Sequence, residues 1–211
     1  MFPLTDRSNP TFTATDPPMD WIQKLREFVR SQPDVFRFLV LGFGGYIVWH
    51  LAYETYLKPA TLLDEYITQN LIVVTEAVVE AFGYEPLAFF QENDGEFRHR
   101  VGIRGAQGVF VGPSCDGVVL FALFAIFILS FPGRWLRKAW YVPAGIAAIH
   151  AANILRIISL LMIQLYFGEE ALKFNHDYTF TVFVYSIIFA LWYGYAAGAG
   201  FGLKRPQSPL A

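Results

Sequence analysis

The stretch Gly112-Pro113-Ser114-Cys115-Asp116-Gly117, continued by the apolar run of residues 118–131, decides the fold. A polar turn that contains proline and glycine leads directly into a helix made of residues that prefer lipid to water. The turn also carries the chain's only cysteine. A cysteine at the beginning of a helix lies near the positive end of the helix dipole, which favours the thiolate. The stretch therefore indicates a membrane protein with a candidate nucleophile at one end of a membrane helix.

Composition supports a membrane protein of one domain. The chain has 211 residues, of which 55% are hydrophobic and 18% aromatic, and this is more apolar than a typical soluble domain. The net charge of −2 gives no sign of a nucleic-acid partner, so the lipid bilayer is the expected partner. One cysteine excludes an internal disulfide, and no cluster of ligand-spaced residues predicts a metal site or another cofactor.

Working outward, the apolar runs predict four spans, at residues 36–57, 118–131, 139–167 and 178–203. Residues 1–35 are expected to form a disordered start and a cytoplasmic basic amphipathic helix, and residues 204–211 a cytoplasmic tail. Between the first two spans lies an extracytoplasmic insertion, residues 58–112. The apolar residues of segment 61–82 would lie on one face of a helix rather than all around it, which predicts an amphipathic helix. Asn93-Asp94-Gly95 then predicts a small β-hairpin. The fold class is thus an all-α integral membrane protein with about four transmembrane helices.

The distribution of basic residues sets the expected topology. With the N-terminus in the cytoplasm, ten lysines and arginines fall on the cytoplasmic side and five on the outer side. This bias follows the positive-inside rule. A fifth span at residues 61–82 would reverse the second half of the chain and break the rule, so we expect that segment to stay outside the bilayer core.

This topology brings three unusual residues to the outer face of the membrane. Cys115 begins the second span, Arg156 lies in the outer part of the third, and His176 precedes the fourth. An arginine inside an apolar span is costly and indicates a function. We expect Cys115 to be a nucleophile, His176 its acid–base partner, and Arg156 the group that stabilises an oxyanion. Asn153 would orient the guanidinium, while a charged Asp116 would oppose the thiolate.

Three motifs together resemble the archaeosortase/exosortase family of membrane cysteine transpeptidases: Ser114-Cys115-Asp116-Gly117, Asn153-Ile154-Leu155-Arg156 and Asn175-His176-Asp177. The resemblance implies catalysis by Cys115, Arg156 and His176, with Asn153, Asp116, Asn175 and Asp177 in support. It also implies an enzyme of the cytoplasmic (inner) membrane, with several spans and an extracytoplasmic active site. Substrates would be secreted proteins with a C-terminal transmembrane sorting signal, cleaved through a thioester on Cys115 and passed to an unknown acceptor or to water.

Two departures from the family pattern bear on the substrate more than on catalysis. Asp116 stands where a serine usually follows the cysteine, and Thr179 or Thr181 stands where many members have glycine after the histidine.

A non-catalytic alternative is open from the sequence alone. The protein would then be a membrane subunit in envelope or exopolysaccharide export or assembly. In that case Cys115 would be replaceable, and Arg156 would pair with Glu76, Glu80 or Asp177.

Overall fold

The computed structural model describes residues 20–60, 62–93, 96–112 and 115–198. Its elements in chain order are α1 (Asp20–Ser31), α2 (Pro33–Ala52), a first π-helical segment (Tyr53–Leu57), α3 (Lys58–Ala60), α4 (Leu62–Ala81), β1 (Pro86–Asn93), β2 (Glu96–Ile103), β3 (Val109–Val111), α5 (Val118–Ser130), α6 (Trp135–Phe167), α7 (Glu169–Phe174), a second π-helical segment (Asn175–Thr179) and α8 (Phe180–Gly198). The chain divides into two compact units, Met1–Arg37 and Phe38–Ala211, and everything discussed below lies in the second. The expected disorder of residues 1–18, the end of the last span and the tail of residues 204–211 lie outside the described residues.

The chain is an all-α membrane protein, as predicted. Three helices in its described part are long and apolar enough to cross a bilayer: Pro33–Ala60, Trp135–Phe167 and Phe180–Gly198. The predicted second span is the shorter apolar helix α5. Its 13 residues rise about 20 Å, less than the roughly 30 Å of a hydrocarbon core. The turn that precedes α5 therefore lies below the membrane surface if the other end of α5 reaches the opposite surface.

The insertion between α2 and α5 forms the predicted amphipathic helix and a sheet. Helix α4 ends at Ala81, and Gly83, whose φ of +84° suits a left-handed cap, follows it. The Gly83 N–H donates to Glu80 O at 2.8 Å, and the Tyr84 N–H donates to Val79 O at 3.1 Å. The three antiparallel strands lie in the order β1-β2-β3, and the predicted hairpin pairs Asn93 with Glu96. Strand β3 adds a third strand to the hairpin, with His99 opposite Val111.

Two apolar cores hold these elements together. One lies among α5, α6 and α8 and centres on Phe124, Ile128 and Ile149. The other packs α4 and the sheet against the second half of α6, through residues such as Leu71, Val101, Val111, Ile157 and Leu160. Helix α6 belongs to both cores, so its middle turns lie between the bundle and the sheet.

Polar contacts fix both ends of this arrangement. At the end of α5, the buried Lys138 donates its Nζ to Leu129 O at 2.7 Å, which satisfies a carbonyl that the helix leaves free. Towards the other end of α6, Gln164 accepts a hydrogen bond from the Gly108 N–H at 2.8 Å in a buried position, which ties the sheet to the helix.

Candidate active site

The turn that holds Cys115 is closed by its own backbone. The N–H groups of Cys115 and Asp116 both donate to Gly112 O, at 2.7 and 3.1 Å. Gly117 follows with a φ of +88°, a left-handed conformation that costs any residue with a Cβ. The carboxylate oxygen Oδ1 of Asp116 then accepts the Val118 N–H at 2.9 Å. This hydrogen bond occupies one of the backbone N–H groups at the beginning of α5 that would otherwise be free to bind a ligand.

Asn153 on α6 holds the same turn from the other side. Its Nδ2 donates to Cys115 O at 3.3 Å and to Asp116 O at 3.2 Å, and the side chain is almost completely buried. A Cβ on Gly117 would lie 2.6 Å from this Nδ2, so glycine is needed here for space as well as for conformation. The structure thus places Asn153 against the backbone of the cysteine turn, where the sequence suggested that it orients Arg156.

His176 comes from the second π-helical segment. Its Nε2 lies 3.8 Å from the sulfur of Cys115, and both side chains are half-buried. Single-turn π-helical segments often occur at functional sites, because the extra residue turns side chains out of the regular helical positions. The Nδ2 of Asn175 donates to Ala171 O in the preceding turn, at 2.8 Å. This hydrogen bond does not link Asn175 to Cys115. The Asp177 side chain lies outside the described part of the chain.

Arg156 reaches the site through a shared cavity. A cavity of about 260 Å³ is lined by Cys115, Asp116, Asn153 and Arg156, together with Thr181 and Tyr185 of α8. Among the described residues, Arg156 makes no hydrogen bond and no ion pair; Glu76 and Glu80 do not pair with it. Its guanidinium therefore lines the cavity as an available cation.

The Asp116 carboxyl, which was expected from the sequence to oppose the thiolate when charged, is buried next to Cys115. Its side chain is only 1% exposed. Burial, which leaves an ion poorly solvated, and the neighbouring Asp64 carboxyl together raise the pKa of this carboxyl to about 8. The raised pKa favours the protonated form.

Two residues beside the cysteine turn were not found from the sequence. Asp64 of α4 is buried, and the Tyr53 hydroxyl of the first π-helical segment donates to its Oδ1 at 2.8 Å. Asp64 was one of several acidic residues on an amphipathic helix, and no spacing distinguished it. No group of three or more histidine, cysteine and acidic side chains that could hold a metal ion occurs among the described residues.

The fold and the site together define a class: helical membrane proteins in which a cysteine in contact with a histidine shares a cavity with an arginine at the beginning of a short apolar helix. Comparison with protein families agrees with that class, since the model of the transmembrane exosortase family matches residues 35–193. The chain belongs to the transmembrane exosortase family. Comparisons with curated proteins and with solved structures found no match.

Proposed function

We propose that the protein is a membrane cysteine peptidase and transpeptidase that cleaves the C-terminal sorting signals of secreted proteins. The observation that carries the proposal is the 3.8 Å approach of Cys115 Sγ to His176 Nε2 at a cavity that Arg156 also lines. A nucleophile and a base within reach, beside a cation, are the parts that acyl transfer needs. Membership of the exosortase family supports the same reaction class.

In the first half of the reaction His176 takes the thiol proton while Cys115 Sγ bonds to the carbonyl carbon of the scissile peptide. The carbonyl oxygen becomes an oxyanion, and the guanidinium of Arg156, which pairs with none of the described residues, stabilises it. When the tetrahedral intermediate collapses, the C–N bond breaks and His176 returns the proton to the leaving amine. The product is a thioester on Cys115.

In the second half an acceptor amine or water attacks the thioester. His176 takes a proton from the attacking group, and the sulfur leaves as the thiolate or thiol. Asn153 contributes by holding the two carbonyls of the cysteine turn, so that the sulfur keeps its place through both steps.

The shape of the bundle supports a substrate that is itself in the membrane. The cavity is bordered by Val119, Leu120, Val184 and Tyr185 of α5 and α8, and three of these four side chains are apolar. A scissile bond next to a substrate transmembrane helix would reach Cys115 below the surface, at the beginning of the short helix α5. The charge bias of the loops supports a position of this end of α5 on the extracytoplasmic side of the cytoplasmic membrane.

The proposal is tested by comparing C-termini of secreted and membrane proteins in cells that produce the wild type, Cys115→Ala or Arg156→Ala. Mass spectrometry of C-terminal peptides would show proteins that keep a transmembrane helix and basic tail in the variants and lose them in the wild type. Arg104→Ala is the matched control, because Arg104 is exposed and pairs with Glu85 away from the cavity. Equal processing in wild type and Cys115→Ala, at equal membrane levels, would refute the proposal and favour a non-catalytic assembly subunit.

A further inference from the structure

A chain of three buried groups, Tyr53, Asp64 and Asp116, ends at the cysteine turn. Tyr53 donates its hydroxyl to Asp64 Oδ1 at 2.8 Å, and Asp64 neighbours the carboxyl of Asp116, the residue that follows Cys115. The exposed fractions are 5% for Tyr53, 4% for Asp64 and 1% for Asp116. Two carboxyl groups are thus buried together beside the candidate nucleophile.

The hydrogen bonds assign different states to the two carboxyls. Asp64 accepts from Tyr53, and Asp116 accepts from the Val118 N–H through Oδ1. The Oδ2 atom of Asp116 is buried and has no hydrogen-bond partner among the described residues. A charged oxygen in that position would be desolvated without compensation, whereas a protonated one costs much less. Two neighbouring carboxylates cannot both be charged in a buried site without strong repulsion.

We propose that Asp116 is a positioning residue kept as an uncharged carboxylic acid beside Asp64, so that the cysteine turn is held without a negative charge next to the sulfur. Oδ1 keeps its bond to the Val118 N–H in this state. The hydrogen bond from the Tyr53 hydroxyl holds Asp64, the other carboxyl of the pair. The inference rests on the proposed function only in giving Cys115 its role; the protonation of Asp116 stands on burial and hydrogen bonds alone.

The charged and titratable groups around Asp116 agree with this assignment. Asp64 faces it from α4, Tyr53 faces Asp64 from the first π-helical segment, and Cys115 with His176 lie on its own turn and on the second π-helical segment. Arg156 of α6 lines the same cavity, and among the described residues it makes no ion pair with Asp116. Burial and the neighbouring Asp64 together raise the pKa of Asp116 to about 8.

The experiment uses infrared difference spectra of the full-length protein in membranes, wild type minus Asp116→Asn. Asparagine keeps the acceptor for the Val118 N–H and cannot ionise. We expect a band of a protonated carboxyl group near pH 7 that is lost as the pH rises through about 8. Glu65→Gln, next to Asp64 on α4, is the control and should leave this band in place. A spectrum with no protonated-carboxyl band for Asp116 near pH 7 would overturn the inference.

A second readout separates positioning from mere structure. The rate at which iodoacetamide alkylates Cys115 should be the same for wild type and Asp116→Asn near pH 7. Near pH 9 the Asn variant should react about threefold faster, since only the wild type then has a charge beside the sulfur. Asp116→Ala removes the acceptor and should slow alkylation at both pH values. If the Asn variant is as slow as the Ala variant near pH 7, a charged Asp116 is required and the inference is wrong. Neither readout needs a substrate, so a failure here is distinct from a failure of the peptidase proposal.

Discussion

Replacing Gly117 by alanine isolates the contribution of the cysteine turn. Gly117 has a φ of +88°, and an alanine in the left-handed region costs about 1–2 kcal/mol. The added Cβ would lie 2.6 Å from Asn153 Nδ2, so the amide must move. That movement weakens the two hydrogen bonds of Asn153 to the turn, each worth about 0.5–1.5 kcal/mol. The total expected loss of stability is about 2–5 kcal/mol.

Gly83 provides the matched control. It has nearly the same φ, +84°, but a Cβ there would meet nothing within 4 Å. Gly83→Ala should therefore lose only the conformational part, about 1–2 kcal/mol. The free energy of unfolding of both variants is measured by titration with a denaturing detergent, and the alkylation rate of Cys115 is measured under native conditions. Gly117→Ala should lose more stability than Gly83→Ala, and only Gly117→Ala should change the alkylation rate. Equal losses in the two variants, with unchanged alkylation, would refute the idea that Asn153 and Gly117 fit together to hold the nucleophile.

Further predictions concern charge, contact and packing. Arg156→Lys should lower substrate processing at least about tenfold without lowering the unfolding midpoint, because a lysine cannot present the planar fork of donors and Arg156 pairs with none of the described residues. Asn153→Ala should slow Cys115 alkylation and cost about 1–3 kcal/mol, the two hydrogen bonds to the turn being lost. Leu160→Ala, in the core beneath the sheet and 1% exposed, should cost about 2–5 kcal/mol of stability. Because burial raises the pKa of Asp116 to about 8, its contribution to stability is complete below the pKa of an exposed aspartate and is lost as the pH rises through about 8. The unfolding midpoint of the wild type should fall between about pH 4 and pH 8, and that of Asp116→Asn should fall less. A pH dependence equal in both proteins would contradict the assignment.

The parts of the site that the sequence predicted are those whose residue types are unusual in an apolar chain. A single cysteine, an arginine within a span and a histidine before a helix each have a physical cost or a reactivity that singles them out. Their order along the chain then put all three at one end of the predicted bundle, and the structure has Cys115 and His176 in contact and Arg156 at the same cavity.

The parts that the sequence did not predict depend on contacts between elements. Tyr53 and Asp64 are 11 residues apart and meet because a π-helical segment and α3 separate α2 from α4. Helical periodicity does not predict such a segment, because the extra residue interrupts the helical repeat of apolar residues on which the prediction depends. The neutral state of Asp116 likewise follows from burial and from Asp64, which no local pattern contains.

The helices and the sheet differ in the same way, since local sequence predicts the helices and contacts between elements decide the sheet. The apolar runs predicted each hydrophobic helix, because lipid-compatible composition is local information. The start of α5 at Val118 was predicted as well, from the turn that Gly117 and Asp116 form before it. The pairing of β3 with β2 was not predicted, because no local pattern connects the two segments.

The central claim is that Cys115 is a nucleophile open to the extracytoplasmic side and activated by His176. It is tested most directly by labelling intact cells with a membrane-impermeant maleimide, in wild type, His176→Ala and His50→Ala. His50 is an exposed histidine of α2 that stacks on Tyr46 and lines neither the cavity nor the cysteine turn. The account predicts rapid labelling of Cys115 from outside in wild type and His50→Ala, and labelling at least about tenfold slower in His176→Ala. Labelling from the cytoplasmic side only, or equal rates in all three proteins, would contradict it.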